Sequence, residues 1–353
     1  MRSLRYRIVT LSAVLLALAA GIVLGNGPLQ GDETVATVSG AGGGDDLAAA
    51  EQRIDEQEQD LAFADSYAAA TGTDLVADKL AGRAVTVVVL PGADPDTVDR
   101  VENTIDTAGG TVVSRVELDE TLLDVAQRQL VAELAEQMDV GATQDAVRVP
   151  EHVGDYGRAA RLLAYALLTS AKGGDQPDRV AEGILAGLTT AGLVAADGDE
   201  ALTSRGSVAV VVGGAPYGSA DERAGAGSIL AELLAAFDRV ADGTVLAAPV
   251  SASAPDGLVT AVRETPALAK AVSTVDEVNQ AAGAIVVVLA LAEDVAGRTG
   301  DYGSPAAADG PLPTGEGPDE ETRAERKAER KADRQAEKKA EKTADNKKNR
   351  GND

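Results

Sequence analysis

The chain has 353 residues and a formal net charge of −25, with no cysteine, one histidine, two methionines and no tryptophan. The missing cysteines exclude thiolate catalysis, disulfides and thiolate metal sites, and a single histidine excludes a two-histidine metal centre. A field this acidic repels nucleic acid and anionic lipid headgroups, so neither is an expected partner of the body.

The charge is unevenly placed. Arg2, Arg5 and Arg7 make the first 25 residues basic, whereas residues 26–315 carry 17 basic and 46 acidic side chains. After the three arginines come seventeen residues, Ile8 to Leu24, without a charge. Basic residues beside a span stay cytoplasmic, so the rest of the chain is expected outside the cytoplasm. The apolar run exceeds the roughly 7–15 residues of a secretory signal core, and no small-x-small cleavage site with a polar break precedes Asn26. Residues 1–25 therefore read as a retained single-pass anchor in the plasma membrane, with Ile8, Leu16, Gly21 and Leu24 in the bilayer. Ala13, Ala17, Gly21 and Gly25 recur at every fourth position. That spacing lets two membrane helices approach closely, as a homo-oligomer would need; the general abundance of Ala and Gly is the plainer account.

Residues 26–44 are rich in Gly and Thr and read as a linker. Residues 45–70 form a short helical stalk, in which Leu47, Ile54 and Leu61 stand seven apart with Ala50 and Ala64 at intervening positions. This spacing suits the seam of a coiled coil, although Gln57 interrupts it and a solvated helix fits the same residues.

An α/β domain is expected over residues 80–300. Ala84 to Leu90 is an apolar, β-branched run suited to a strand buried on both faces. Pro91-Gly92-Ala93-Asp94 turns the chain, and Asp94 or Asp96 can cap a helix over Thr97–Ala108 that ends at Gly109-Gly110. A second strand covers Thr111–Glu117. A helical insert follows, with apolar residues at i, i+3 and i+4 in 122–138, 157–171 and 179–193. Strands are then expected at 208–212, 244–248 and 271–275, alternating with helices over 219–240, 256–263 and 279–296. The alternation predicts a Rossmann-like, doubly wound parallel sheet. Residues 301–353 comprise a Gly/Pro-rich segment and a charged tail with Ala at every fourth position from 324 to 344; this tail is either a solvated helix or disordered.

Ligands of parallel sheets sit beyond the carboxyl ends of strands. Here those ends are Leu90–Asp94 and Val212–Pro216, neither a dinucleotide-binding nor a phosphate-binding loop, and both explicable as tight turns. Gly225-Ala-Gly-Ser228 lies within a predicted helix. His152, between Glu151 and Asp155, is best read as a loop histidine. No catalytic, cofactor or metal constellation emerges, and no enzymatic activity is expected. Six tyrosines and two phenylalanines, without segments of alternating hydrophobicity, also argue against an outer-membrane barrel.

Three stretches resemble the actinobacterial MctB family of copper-transport proteins: Arg2–Arg7 with Leu16–Gly25, Leu80–Ala93, and a set comprising Ser273–Asp276, Ala290–Glu293, Asp301–Gly303 and Gly310–Pro313. The resemblance implies an envelope protein of copper homeostasis, described for mycobacteria as an outer-membrane channel. It also implies, as an alternative, a partner in an envelope complex affecting cell separation. Cu(I) is normally held by thiolate, thioether or imidazole, and beyond the anchor the chain offers only Met138 and His152. Copper is thus implied by the resemblance alone, with no cofactor and no dedicated Cu(I) site expected. The residues themselves favour a scaffold or interaction role beside one membrane span.

Overall fold

The computed structural model describes residues 43–150, 152–196, 204–304 and 308–313. The expected anchor, with Ile8, Leu16, Gly21 and Leu24 and the small-residue face Ala13, Ala17, Gly21 and Gly25, lies outside the described residues. So does the charged tail. Among the described residues no helix is long and apolar enough to cross a membrane.

Two compact units divide the chain, Met1–Glu58 and Gln59–Asp353. In the first, residues 43–58 begin a helix, α1 (Gly43–Val76), and residues 51–58 are all exposed. The second unit holds a seven-stranded sheet in the order β3-β2-β1-β4-β5-β6-β7. Its strands are β1 (Ala84–Val89), β2 (Thr111–Leu118), β3 (Val194–Ala196), β4 (Val208–Val212), β5 (Thr244–Ala247), β6 (Ser273–Val275) and β7 (Asp301–Tyr302). Every neighbouring pair is parallel except β2 with β3.

The valine runs explain the centre of this sheet. Residues of β1 and β4 alternate between two apolar cores, as the two-residue side-chain period of a strand requires. Val85, Val87, Val89, Val208, Val210 and Val212 point into one core. There they meet Val98, Val101 and Ile105 of α2 (Pro95–Thr107) and the apolar α10 (Ala281–Val295). Val88, Ala209 and Val211 point into the other, against α6 (Asp155–Leu167) and α8 (Ala220–Val240). Thr86 shares that second face, where its hydroxyl donates to the Leu167 carbonyl at 3.1 Å and accepts from the Gly206 amide at 3.1 Å. A fully buried hydroxyl so partnered escapes the cost of lost hydration.

The region expected to be one helix over 122–138 is broken. A short α3 (Glu120–Leu123) leads through a 3₁₀ turn, Val125–Gln127, into α4 (Arg128–Met138). The break has a local cause: the Asp124 carboxylate accepts from the Ala126 amide at 2.8 Å and starts a new cap. Further along the insert are α5 (Ala142–Val147) and α7 (Arg179–Thr190), and α9 (Leu258–Arg263) follows β5. Within the second unit, α1 packs through Ala68, Gly72 and Val76. A Cβ on Gly72 would overlap the Ile285 side chain, so glycine lets α1 lie close to α10. Asp65 accepts from the Ala281 amide at 2.5 Å, supplying from α1 the cap that α10 lacks at its own Gln280.

At the far edge, Asp276 is fully buried at the end of β6. Its carboxylate accepts from Arg263 Nη1 at 2.9 Å, the Ser253 hydroxyl at 2.9 Å and the Ser304 amide at 2.6 Å. Gly303, at φ 125°, passes so close that a Cβ would overlap this carboxylate. Thr274 donates to Asp301 at 2.6 Å, and the Gly303 amide reaches Gly310 at 2.9 Å. Removing one member of a buried, hydrogen-bonded ion pair leaves the other desolvated and uncompensated. Asp276→Ala should therefore destabilise the protein by about 3 kcal/mol in denaturant unfolding, with a loss under about 1 kcal/mol contradicting this joint's role.

Candidate functional site

β1 and β4 are neighbours, yet the chain leaves them toward opposite faces of the sheet. After β1 it enters α2, and after β4 it enters α8. Connections diverging from adjacent parallel strands open a crevice beyond the carboxyl ends of those strands. Here the Leu90 amide still donates to the Val212 carbonyl at 2.8 Å. Beyond that bond the two loops meet backbone to backbone, and a Cβ on Gly214 would overlap the Gly92 carbonyl. Gly92 itself has φ 79°, a conformation that favours glycine.

A cavity of about 400 Å³ lies at this divergence. Leu90, Pro91, Leu123 and Leu258 give it apolar surface. α3 and the 3₁₀ turn add Glu120 and Asp124, the first turn of α8 adds Glu222 and Arg223, and Asp256 precedes α9. Four carboxylates thus face one guanidinium.

Most of these side chains are held in place. Asp124 caps the 3₁₀ turn, and its main-chain carbonyl accepts from the Tyr156 hydroxyl at 2.7 Å. Glu222 and Ser219 form a capping box, with the Ser219 amide donating to Glu222 at 2.6 Å and the Glu222 amide reaching the Ser219 hydroxyl at 3.3 Å. That amide contact keeps the Glu222 carboxyl below its ordinary pKa. It also occupies donors at the start of α8 that an anion would otherwise use. Arg223 donates to the Gly218 carbonyl at 2.6 Å and lies 3.9 Å from Asp256. Asp256 has φ 63°, a left-handed conformation that Asp tolerates better than most residues. Next to Glu120, Asp119 is held below its usual pKa by hydrogen bonds from Thr121.

Tyr217 covers one side of the opening, close to Gly92. Partial burial raises the pKa of its phenol, and the charges of Glu120 and Asp119 raise it further. The crevice can receive a positively charged or hydrogen-bond-donating group; its carboxylates repel phosphate.

The loops at Leu90–Asp94 and Val212–Pro216, which the sequence explains as tight turns, border the crevice. The carboxylates of α3 and α8 were not foreseen there, because only the fold brings them together. Gly225 and Gly227 are packing positions, where a Cβ would crowd Val125 and Ala261 respectively. His152 is exposed in the loop before α6, while Met138 packs against Gly187 at the end of α4. Among the described residues, no group of three or more His, Cys, Asp or Glu is arranged to hold a metal ion. Of the stalk seam, Ile54 and Leu61 are 53 % and 57 % exposed, and the side chain of Leu47 is outside the described set.

The family model for "Copper transport outer membrane protein, MctB" matches residues 1–313. The chain belongs to the MctB family. Proteins called "Copper transporter MctB" in Mycobacterium bovis and Mycobacterium tuberculosis are 28 % identical to it over 314 residues. The similarity covers 86 % of this chain and 96 % of each relative. The MctB match ends at Pro313. Two of the stretches that carry the MctB resemblance now have structural roles. Ser273–Asp276, Asp301–Gly303 and Gly310 build the Asp276 joint, and Leu80–Ala93 supplies β1 and one loop of the crevice.

The surroundings of Tyr217 make a direct prediction. Its tyrosinate absorbance, isolated as the difference from Tyr217→Phe, should appear above the ordinary value of 10. Glu120→Gln should move it back toward that value by removing one of the charges that raise it. A folded pKa above the unfolded one stabilises the protein fully below pH 10, and this contribution is lost as the pH rises through the folded value. Titration of Tyr217 at or below 10 would contradict the described crevice.

Proposed function

We propose that this protein is a membrane-tethered, extracytoplasmic component of copper homeostasis that acts without a dedicated Cu(I) site and without enzymatic activity. Membership of the MctB family over residues 1–313 is the observation that carries the copper role. Ligand chemistry supports the second half of the reading. Cu(I) prefers thiolate, thioether and imidazole, and the chain beyond its first residue has one methionine, one histidine and no cysteine. Met138 and His152 belong to different surroundings, one packed at a helix end and the other exposed in a loop.

The N-terminal arginines and the uncharged run Ile8–Leu24 support a single-pass tether in the plasma membrane, with the body outside the cytoplasm. On this reading copper is a cargo of the wider envelope machinery, and the present chain supports that machinery through protein contacts. A strain lacking the gene should hold more copper and tolerate less of it, and the wild-type chain should restore both. Met138→Leu combined with His152→Ala should restore them equally well. Failure of the double variant at wild-type protein level, or equimolar Cu(I) binding by purified protein in a chelator competition, would contradict the absence of a dedicated site. A deletion without any copper phenotype would contradict the copper role itself.

The exposed apolar residues of α1 support a homo-oligomer. Ile54 and Leu61 stand seven residues apart, the spacing of a coiled-coil seam, and each is about half exposed. The chain has no native cysteine, so single substitutions report cleanly. Ile54→Cys and Leu61→Cys should form disulfide-linked dimers in membranes under mild oxidation, and Gln59→Cys, facing away from the seam, should not. Equal cross-linking at all three positions would contradict a parallel seam.

A further inference from the structure

We propose that the crevice between the β1 and β4 loops binds an organic cation, an ammonium or guanidinium group carried on a short aliphatic stem. The cavity size is the first ground. About 400 Å³ falls within the roughly 300–1,000 Å³ of small-molecule sites, and it sits where adjacent parallel strands diverge. The lining supplies the second ground, because it is split in chemistry. Leu90, Leu123 and Leu258 offer aliphatic contact, while Glu120, Asp124 and Glu222 present carboxylates. An apolar ligand alone would leave unused the acceptor capacity that Asp124 and Glu222 keep beyond their cap hydrogen bonds, and a bare inorganic cation would leave the leucines wet. A cation on an alkyl stem satisfies both.

Competing chemistries fit less well. Among the described residues, the one guanidinium in the lining, Arg223, is already engaged by the Gly218 carbonyl and lies near Asp256. Two amide donors at the start of α8, those of Ser219 and Glu222, are used by the capping box, and the carboxylates of the lining repel an anion. No three metal-binding side chains converge among the described residues, which argues against a divalent ion. The field of the acidic body, with 46 acidic against 17 basic residues over 26–315, concentrates organic cations at this opening. The same chemistry comes from two sources: a free alkylamine such as a diamine or agmatine, or a Lys or Arg side chain on a peptide segment.

The test uses the full chain in nanodiscs with ¹³C-labelled tyrosine. Titration with agmatine, 1,5-diaminopentane and an acetylated Leu-Lys-Leu amide should shift the Tyr217 ring signal with saturation and leave Tyr302, buried at the far edge of the sheet, unmoved. Glu120→Gln combined with Glu222→Gln should weaken binding by up to about tenfold, the sum of two solvent-exposed charge contacts. Gln at position 222 keeps a capping box possible, and an unchanged circular dichroism spectrum verifies the fold. Stronger binding of the peptide assigns the site to a polypeptide partner, and stronger binding of the amines assigns it to a small molecule. Either result supports the proposal. No saturable shift at Tyr217, equal binding by the double variant, or equal competition by Ca²⁺ or glutamate overturns it. Copper tolerance plays no part in this readout, so its outcome is separable from that of the copper role.

Discussion

Pairing of β1 with β4 is the constraint on which the rest of the structure depends. Two short valine-rich strands lie side by side and bury every residue, feeding alternate side chains into separate cores on opposite faces. A parallel pair of this kind needs helices on both faces. The chain meets that need by leaving β1 toward α2 and leaving β4 toward α8. The same divergence that seals both cores separates the loops beyond the strand ends. The crevice is thus a by-product of how this sheet is covered. Gly214 and Gly92 permit the backbone contact from which it opens.

Burial and charge divide the labour across the sheet. At the far edge, the buried carboxylate of Asp276 has several donors and ties β6, α9 and the segment after β7 into one joint. At the crevice, the carboxylates use only part of their capacity on caps and face an open cavity. Both sites are acidic, yet one is saturated by internal donors and the other is open to an external one. This difference makes the crevice, and not the Asp276 joint, the candidate for binding.

The parts of the fold that were legible in the sequence are those with strong local signals. The runs at Ala84–Leu90 and Val208–Val212 announce buried strands through unbroken β-branched residues, and α10 announces its burial by being apolar nearly all round. The strand ends at Leu90–Asp94 and Val212–Pro216 read as tight turns, with nothing in their sequence to mark a ligand. What the sequence hid depends on contacts between distant residues. β3 and β7 have three and two residues, too few to set up a period of their own. The break at Asp124 turns on one carboxylate choosing the Ala126 amide, within an otherwise helical pattern. Glu120, Glu222 and Asp256 are more than thirty residues apart in pairs and look like ordinary surface charge until α3, α8 and the loop before α9 converge.

Membership of the MctB family connects this chain to copper, while its own residues describe an open α/β sheet covered by helices, with a paucity of soft ligands and one uncharged N-terminal run. On the proposed function, that run is a tether and the body works outside the membrane. The most direct test is electrical. The purified full-length chain, reconstituted into planar bilayers, should leave the bilayer insulating across the applied voltage range. Reproducible unitary conductance steps that scale with the amount of protein and are absent from mock preparations would contradict the account.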